Sequence, residues 1–411
     1  MTTDAQDAAP GLMQDRADIQ GAGDAVDAVD AVDTLDTGYQ GDGRSAPKVN
    51  LLELSCAELG DYLKARGMKS YCREQLLRWV YQFGVSDFDG MTNLSRKARE
   101  LLKSEAVIDA PEVVAERVSR DGTVKWALRC RDGEIIESVF IPESERGTLC
   151  VSTQAGCAAG CVFCRTGLTG LRRNLTQGEI LGQVWRACER VGFSRNQEFK
   201  PVSNVVLMGM GEPLMNLKAV EPAVEILLSD YAFALSKRRV TISTVGIVPV
   251  MEKLCGRLDV ALALSLHASD DELRSRLVPL NRRYGLSEVL KAARRYVAAA
   301  NANCGRVTIE YVLLKGINDA PSQAVQLSEL LHDLPCKINL IPFNPHPGSP
   351  FRRPDAVSVE RFRDILLKRG HTVMRRQVRG DDIEAACGQL AGCLPRADEA
   401  DAARGVPVAR L

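Results

Sequence analysis

From about residue 148 to residue 376 the sequence alternates apolar, β-branched runs with stretches of helical periodicity. The runs with the composition of buried strands are 148–152, 202–208, 239–244, 260–266, 307–314, 337–342 and 372–376. Segments between them, such as 176–192, 217–229, 286–300 and 321–333, repeat apolar residues every three or four positions. This alternation predicts an α/β fold with a parallel sheet, either open or closed into a barrel.

The 53 basic and 53 acidic side chains of this 411-residue chain balance only as an average. Residues 1–47 hold ten Asp, no Glu, no Lys and two Arg, so this segment carries a net charge of −8 and the remainder carries +8. Few large apolar groups accompany the acidic residues, so we expect a disordered tail. The neutral total therefore does not exclude a nucleic-acid substrate for the basic remainder.

Four further segments follow from changes of pattern along the chain. We expect a helical accessory domain over 48–105, with Ser95 capping its last helix, and a β linker region over 106–147 with turns at 120–122 and 131–133. The barrel would span 148–393, including a catalytic C-terminal loop, and a tail would follow over 394–411. The basic residues of the helical domain fit either a solvated helix face or an RNA contact.

Composition also bears on the cellular location. The sequence has no run of 18 apolar residues, and its first twenty residues lack the basic and apolar regions of an export signal. Thirteen cysteines in such a chain are better explained as free, metal-bound or catalytic thiols than as disulfides. The expected location is the cytoplasm, with no membrane association.

Three cysteines, Cys157, Cys161 and Cys164, follow the first of these runs with the spacing C-x3-C-x2-C. A structural zinc site would need a fourth Cys or His nearby. The next cysteine, Cys188, lies in a predicted helix, and the four histidines all lie at or beyond position 267. Three thiolates without a local fourth ligand suit an iron–sulfur cluster with one iron left open to a chelating substrate.

This spacing, with Phe163 before the third cysteine, resembles the radical S-adenosylmethionine (SAM) superfamily. The resemblance implies a partial (βα)6 barrel in which the three cysteines hold a [4Fe–4S] cluster and SAM binds the open iron. Segment 209–213, GMGEP, looks like the superfamily's SAM-binding segment, with Met210 in place of its central glycine. The SAM contacts are then expected at successive strand ends. They are Gly211, Glu212, Ser243, Ser265, Leu266, His267 and Asn344.

Segments 150–157, 207–213, 265–268 and 379–390 closely resemble the RlmN-type adenine-C2 RNA methyltransferases. The resemblance implies that Cys387 takes a methyl group from one SAM, and that a radical made from a second SAM removes hydrogen from this S-methyl group. The carbon radical adds to C2 of adenine, and Cys150 releases the product by forming a disulfide with Cys387. Glu137 would be the proton acceptor.

The same resemblance implies the partners. They are an adenosine at the peptidyl-transferase centre of 23S rRNA, the adenosine beside the anticodon of some tRNAs, and an electron donor such as a flavodoxin, with the enzyme acting as a monomer. Loop arginines near the predicted mouth are candidate phosphate contacts. They are Arg165, Arg172, Arg173, Arg282, Arg283, Arg352, Arg353, Arg375, Arg376 and Arg379.

Several alternatives remain open from the sequence. The sister family that methylates C8 of adenine shares these cysteines, whereas a radical SAM enzyme acting on a protein has no need of Cys387. A non-catalytic metal- or RNA-binding module is a third class. Cys150 alone fits a buried core thiol, Glu137 fits a solvent-facing edge carboxylate, and the Gly and Asp residues around Cys387 predict a mobile loop.

Overall fold

The computed structural model describes residues 48–144, 146–193, 200–300 and 305–390. The acidic tail predicted over 1–47 and the C-terminal tail predicted over 394–411 lie outside these ranges. Within the described ranges, no helix combines the length and apolar character that crossing a membrane requires.

The described N-terminal region is mainly helical, as its amphipathic pattern predicts. Its elements are β1 (Val49–Asn50), α1 (Cys56–Ala65), α2 (Tyr71–Leu77), α3 (Arg96–Glu105) and β2 (Ala106–Val107). The two short strands pair in parallel. Ser55 and Glu58 form a reciprocal capping box at the start of α1. The Ser95 hydroxyl accepts a hydrogen bond from the Ala98 amide at 3.2 Å, which confirms the predicted cap of α3.

Three antiparallel strands follow, separated by tight turns. They are β3 (Glu112–Val118), β4 (Val124–Arg129) and β5 (Ile135–Glu143), and β5 pairs in turn with β6 (Arg146–Cys150). The turns fall at the two positions that the Asp-Gly pairs predict. The Ser119 amide closes the first turn by donating to the Thr123 carbonyl at 2.7 Å.

Strand–helix units then repeat from β6 onwards. Between β6 and the next barrel strand lie β7 (Gln154–Gly156), α4 (Arg165–Thr169), β8 (Leu171–Asn174) and α5 (Gln177–Val191). The later elements are β9 (Asn204–Leu207), α6 (Leu217–Leu228), β10 (Val240–Thr244), α7 (Val248–Leu254), β11 (Ala261–Ser265), α8 (Asp271–Leu277), α9 (Leu286–Ala299), β12 (Val307–Leu313), α10 (Pro321–Leu330), β13 (Cys336–Pro342), α11 (Ala356–Lys368) and β14 (Thr372–Arg375).

Each run predicted between 148 and 376 is a strand of one sheet. Its order is β14-β13-β12-β11-β10-β9-β6-β5-β4-β3, and neighbours from β6 to β14 are parallel. Six strand–helix units followed by β14 make up the parallel part in the described residues. The antiparallel strands β3 to β5 extend the sheet beyond β6, which the sequence did not predict.

The two faces of the sheet have different neighbours. On β12, the Tyr311 ring packs on Phe362 of α11 with centroids 5.5 Å apart, so this face is covered by helices. The adjacent Glu310 faces the other way and accepts a hydrogen bond from Asn339 of β13 at 2.7 Å. Residues of β5, β6 and β13 line one cavity on that inner face, so the sheet curves into a partial barrel.

The N-terminal region is fastened to α5, the first long helix of the barrel. The Glu53 carboxylate accepts hydrogen bonds from the Thr176 hydroxyl at 2.7 Å and from the Gly178 amide at 2.8 Å. The Trp185 indole donates to the Val80 carbonyl at 3.0 Å. A side chain from outside the barrel therefore satisfies the amino-terminal turn of its first long helix.

Candidate active site

The three spaced cysteines lie in the loop 157–164 after β7, hereafter the cluster loop. The Cys157 amide donates to the Gly170 carbonyl at 2.9 Å, which folds the loop back beside β8. Gly156 has φ of +82°, and a Cβ atom there would lie 1.9 Å from the Gly170 oxygen. Glycine before Cys157 is therefore required by this close approach.

The three thiols lie in a low-dielectric environment that disfavours their ionised forms. Burial raises the pKa of Cys157, Cys161 and Cys164. Backbone donors oppose this at two of them, since the Ala159 amide lies 3.5 Å from the Cys157 sulfur and the Gly167 amide lowers the pKa of Cys164. Such thiols ionise when a strongly cationic group binds them.

The spacing of the three sulfurs fits a cluster better than a single ion. Among the described residues they do not all lie within 4.8 Å of one another, whereas Cys130, Asp132 and Glu179 do. Arg173 forms ion pairs with both of those carboxylates, at 2.5 and 2.7 Å. Its guanidinium therefore balances their negative charge in the absence of a metal ion. The three cysteines of the cluster loop do not form such a close group, and three thiols without a fourth ligand are the donor set of an iron–sulfur cluster with one open iron.

The GMGEP segment follows β9 and lies against the start of β7. Gly211 has φ of +102°, and a Cβ atom there would lie 2.6 Å from Cβ of Gln154. The Met210 carbonyl accepts hydrogen bonds from the amides of Thr153 and Gln154 at 2.8 and 3.2 Å. The Met210 side chain is buried in the core, so a larger residue is accommodated at the central position of the motif.

Glu212 joins two strand ends through its carboxylate. Its oxygens accept hydrogen bonds from the Leu214 amide at 3.0 Å and from the Val245 amide, just after β10, at 2.9 Å. Burial raises the pKa of Glu212 to about 7 and outweighs these donors. The carboxylate that was predicted to contact SAM thus already accepts hydrogen bonds from two amides of the protein.

The end of β11 carries a strained residue in contact with the cluster loop. His267 has φ of +64°, and its ring meets Phe163 edge-to-face with centroids 4.8 Å apart. Nδ1 accepts a hydrogen bond from the Val312 amide at 3.1 Å, so the ring proton resides on Nε2. Burial, and then the charge of Arg274, lower the pKa of His267 to about 3, so the ring is neutral.

Residues 209–212, Val245 and 265–267 are hereafter the strand-end site. The remaining predicted SAM contacts flank it. Ser243 is a half-buried residue of β10 beside Ala263 of β11. Asn344, which follows β13, donates to the Cys387 carbonyl at 3.2 Å and accepts from Arg353 at 2.9 Å.

Cys150 and Cys387 line the same cavity, of about 670 Å³, together with the third cysteine of the cluster loop, Cys164. Cys150 ends β6, and Cys387 belongs to the segment after β14. Burial, and then the neighbouring Cys387 thiol, raise the pKa of Cys150 to about 12. A pair 237 positions apart in sequence is therefore close enough to interact electrostatically.

Arg376 brings a cation to this cavity. The Cys387 thiol is the largest cause that raises the pKa of the Arg376 guanidinium, with Glu310 and Cys150 adding to it against burial. The sequence predicted that Arg376 is one of several loop arginines near the mouth that contact RNA. The structure instead places it among cavity-lining groups beside the two thiols.

Residues 380–390 form a segment, hereafter the C-terminal strap, that lies across the open side of the barrel. The Ser119 hydroxyl donates to Asp382 at 2.6 Å, and Lys125 donates to the Glu384 carbonyl at 3.0 Å. On the other side, the Arg165 amide donates to the Gly388 carbonyl at 2.9 Å. The sequence predicted a mobile loop here, whereas these contacts hold the strap between β3–β4 and the cluster loop.

Glu137 is buried, not solvent-facing. Its carboxylate lies 3.4 Å from the Lys125 ammonium, and both side chains are nearly inaccessible. Strand β5 is flanked by β4 and β6, so it is not an edge, and the expectation of an exposed edge carboxylate is wrong. Glu137 shares a face of β5 with the cavity-lining Val139 and Ile141 without lining the cavity itself.

Most of the predicted RNA-contacting arginines are engaged in intramolecular ion pairs. The pairs are Arg165–Glu384, Arg172–Glu134, Arg173–Asp132, Arg353–Asp381, Arg375–Glu360 and Arg379–Asp121. Arg283 lies over the Tyr284 ring, and Arg282 and Arg352 are exposed. Counting loop arginines therefore overestimated the positive charge that is available to a phosphate backbone.

The structure also identifies polar residues at the site that sequence analysis missed. Lys125 lies on β4, and Glu310 and Asn339 are opposite each other on β12 and β13. Arg274 lies on the short helix α8 and is 1% exposed. The pattern of buried and exposed positions gives no signal for these residues, because charged side chains are normally assigned to the surface.

Comparisons with known proteins agree with this geometry. Residues 49–108 match the family model described as the ribosomal RNA large subunit methyltransferase N-terminal domain, and residues 151–327 match the radical SAM superfamily. A crystal structure of a radical SAM methyltransferase from Sphaerobacter thermophilus is 44% identical. The match covers 84% of this chain and 99% of that chain, with a TM-score of 0.77.

Two weaker matches are to a domain of pyruvate-formate lyase-activating enzyme from Bacteroides vulgatus and to SuiB from Streptococcus suis. The first is 18% identical, covers 43% of this chain and 99% of that chain, and has a TM-score of 0.31. The second is 16% identical, covers 56% and 49%, and has a TM-score of 0.39. On the strength of the 44% identical match and the two family models, the chain belongs to the RlmN-type radical SAM methyltransferases, which use a [4Fe–4S] cluster and SAM.

Proposed function

We propose that this methyltransferase acts on RNA and methylates C2 of an adenosine, namely adenosine 2503 of 23S rRNA and adenosine 37 of tRNA. The observation that carries the proposal is the single cavity lined by Cys150 and Cys387. C2 of adenine is electron-poor and cannot take a methyl group directly from SAM. A pair of thiols supplies one sulfur to carry the carbon and a second to release it.

The cluster loop and the strand-end site would hold the cofactors. Cys157, Cys161 and Cys164 would ligate the [4Fe–4S] cluster, which when bound supplies the electron that cleaves SAM to a deoxyadenosyl radical. The backbone around Gly211 and at 265–267 would orient SAM. Glu212 contributes by fixing that backbone, because its carboxylate is bonded to two amides.

Cys387 would receive the methyl group by displacement at the methyl carbon of SAM, breaking the bond from that carbon to the sulfonium sulfur. This step needs a thiolate, and the Arg376 guanidinium lines the same cavity as Cys387. The hydrogen bond from Asn344 to the Cys387 carbonyl fixes the backbone of the nucleophile near the third cluster ligand. The positions of Arg376 and Asn344 beside Cys387 therefore support this cysteine as the residue that carries the methyl group.

Cys150 would resolve the covalent protein–RNA adduct. The adduct would first lose one electron, which the cluster can take back, and the C2 proton. The Cys150 thiolate would then attack the Cys387 sulfur, so that an S–S bond forms, the S–C bond breaks, and the electron pair left on the methylene carbon takes up a proton to complete the methyl group. Glu137 would take the C2 proton, and its carboxylate is held by the 3.4 Å contact with the Lys125 ammonium. Glu137 lies on β5 and Cys150 on the neighbouring strand β6, which supports a short path between the proposed base and the proposed resolving thiol.

RNA would present the target base as an extruded nucleotide. C2 is shielded inside folded RNA, so the adenine must leave its stack. The cavity opens to solvent beside the two thiols, so an extruded nucleobase could approach them from outside. The net charge of +8 on residues 48–411 supports attraction of an RNA backbone.

The decisive experiment is anaerobic turnover of the reconstituted enzyme with methyl-labelled SAM and separate rRNA and tRNA pools, followed by nucleoside mass spectrometry. We expect 2-methyladenosine in both pools. Labelled 8-methyladenosine would replace this proposal with the sister C8 reaction. Label in protein at positions other than Cys387, with none in RNA, would favour a protein substrate. Zinc without iron or sulfide in the anaerobically purified protein would exclude radical chemistry.

The Cys150→Ala variant tests the resolving step. We expect it to purify with RNA bound covalently to Cys387, because the adduct forms but no thiol attacks it. Nuclease digestion and peptide mass spectrometry would locate the attached nucleotide. A Cys150→Ala protein that turns over at the wild-type rate and carries no RNA would remove Cys150 from the mechanism.

A further inference from the structure

Arg274 is a buried arginine on the face of α8 that meets the strand-end site. Its side chain is 1% exposed, the first among the largest fully buried side chains of the described residues. Burying a guanidinium is costly unless its charge and its donors are satisfied. Neither the sequence motifs nor the proposed mechanism assigns this residue a role.

The hydrogen bonds of Arg274 converge on the ends of β10 and β11. Nε donates to the Leu266 carbonyl at 3.0 Å, and one terminal nitrogen donates to the carbonyls of Val245 at 2.6 Å and Ser265 at 3.2 Å. The other terminal nitrogen donates to the Asn281 side chain at 2.7 Å. The planar guanidinium group of Arg274, hereafter the guanidinium fork, thus fixes three backbone carbonyls of the strand-end site in one geometry.

These partners satisfy the donors of Arg274 but not its charge. It forms no ion pair with a carboxylate in the ranges that the structure describes. The Asp271 carboxylate, one turn earlier, instead accepts hydrogen bonds from the Asn281 amide group at 2.9 Å and the Leu286 amide at 2.8 Å. Burial lowers the pKa of Arg274, and of the two negative groups that oppose this, Cys161 acts more strongly than Asp271. Asp271 therefore balances the buried positive charge only in part, which favours a further anion nearby.

The cluster loop is the element that can supply that anion. The Val162 amide donates to the carbonyl of Leu277, the last residue of α8, at 3.1 Å, so helix and loop are in direct contact. The charge of Arg274 also acts on the Cys161 thiol in the sense that favours thiolate. Three thiolates gathered on a cluster would place negative charge beside this helix.

We propose that Arg274 is a positioning residue with two separable functions. Its guanidinium fork holds the strand-end carbonyls in the arrangement that binds SAM. Its buried charge is the counter-charge of the thiolate-ligated cluster and makes cluster reduction easier. The inference rests on the cofactors of the family and on the residues above, and it does not depend on which substrate is methylated.

The test compares Arg274→Met, which removes both fork and charge, with Arg274→Lys, which removes the fork and retains a charge. Arg276→Gln, an exposed arginine on the same helix, is the matched control. After anaerobic reconstitution to equal iron and sulfide content, SAM affinity is measured by equilibrium dialysis and the cluster midpoint potential by EPR-monitored redox titration. Neither readout requires RNA.

We expect both variants to bind SAM about tenfold more weakly than the wild type, because charge-assisted hydrogen bonds to the strand ends are lost. Only Arg274→Met should have a more negative cluster potential, and the control should match the wild type in both readouts. Wild-type SAM affinity in Arg274→Lys would overturn the positioning function. A wild-type potential in a fully loaded Arg274→Met would overturn the charge function.

If Arg274→Met does not fold, the lysine variant alone decides both points. Burial lowers the pKa of a lysine, so raising the pH discharges this ammonium. Burial also lowers the pKa of Arg274, to about 10, so the arginine keeps its charge while the pH stays below about 9. The cluster potential of Arg274→Lys should then become more negative with rising pH relative to the wild type. Identical pH dependence of the two proteins would contradict the counter-charge function. Normal cluster potentials with no methylation of RNA would instead count against the proposed function alone.

Discussion

The strand-end site and the C-terminal strap meet at the same cavity but are built differently. The strand-end site is held by backbone geometry, with a positive-φ glycine at 211, a positive-φ histidine at 267 and buried side chains that bond to main-chain groups. The strap is held by side-chain contacts from elements far away in sequence, such as Ser119 and Lys125. In the proposed mechanism the first would be a rigid binding surface for SAM, and the second would carry the methyl group on a segment held by several independent contacts.

This difference predicts how substitutions in each region affect structure and activity. Changes at the strand-end site should disturb several contacts together, because each buried group joins two or more strand ends. Changes at the strap should act locally, except at the sulfur that the reaction uses. The following variants test the contrast, from the largest expected effect to the smallest.

Cys387→Ala should abolish methylation of RNA while leaving the fold, the cluster and SAM binding intact. The strap contacts around this position are made by other residues, so the loss is chemical and not structural. Methylation assays and SAM affinity measured on the same preparation check this. Cys255→Ala, at a half-buried thiol after α7, is the control and should remain active. Retained methylation by Cys387→Ala would contradict the carrier role.

Gly211→Ala should destabilise the protein by about 2–5 kcal/mol, the sum of a positive-φ penalty and a steric clash. The clash is expected because the new Cβ would lie 2.6 Å from Gln154 Cβ. Urea unfolding and SAM affinity measure the effect. Gly316→Ala has a similar φ of +70° and open space around the new Cβ, so it should lose only the φ contribution. Equal losses in the two variants would mean that the close approach at Gly211 is unimportant.

Glu212 should make the stability of the apoprotein fall with rising pH. Its folded pKa of about 7 exceeds the ordinary value of 4.5, so the folded state retains a proton that the unfolded chain has lost. The stabilising contribution is complete below pH 4.5 and is lost as the pH rises through about 7, by roughly 3 kcal/mol at most.

Unfolding free energies of the wild type and Glu212→Gln, compared between pH 4.5 and 8, isolate this effect from those of other groups. The variant has no titrating group at this position, so the difference between the two curves should change across the window. Parallel curves would show that the carboxylate stays ionised throughout, held by the two amides that donate to it.

Ser119→Ala should have the smallest effect, a rise of no more than a few-fold in the rate at which iodoacetamide alkylates Cys387. The variant removes the 2.6 Å contact with Asp382, while the bonds to Glu384 and Gly388 remain. Quantitative peptide mass spectrometry measures the rate. Ser104→Ala, at a hydroxyl that bonds within α3, should leave it unchanged. A large increase would show that one hydrogen bond controls the whole strap.

Local sequence was sufficient to predict much of the fold. The alternation of apolar runs predicted the parallel strands, because each barrel strand is buried by its neighbours and by a helix. The glycines at 156 and 211 lie where the backbone approaches other chain segments closely, which leaves little choice of residue at either position. The cluster and SAM positions inferred from these motifs stay predictions.

Long-range contacts explain what the sequence did not predict. The strap is fastened by Ser119 and Lys125, which precede their partners by 263 and 259 positions, so no local pattern around Cys387 indicates it. Arg274 lies in a helix whose charged sequence is typical of a surface. Glu137 was expected at an edge because nothing local indicates that β3 and β4 extend the sheet beyond β5.

The contact between Glu53 and α5 has a consequence for synthesis and for engineering. Residues 49–108 leave the ribosome well before residues 177–191 that they hold, and at about 5–20 residues per second the gap lasts seconds. The N-terminal helices must remain soluble for that interval without their partner. A chimera that exchanges this region between relatives should therefore carry α5 with it, or the helix will lose the carboxylate that caps it.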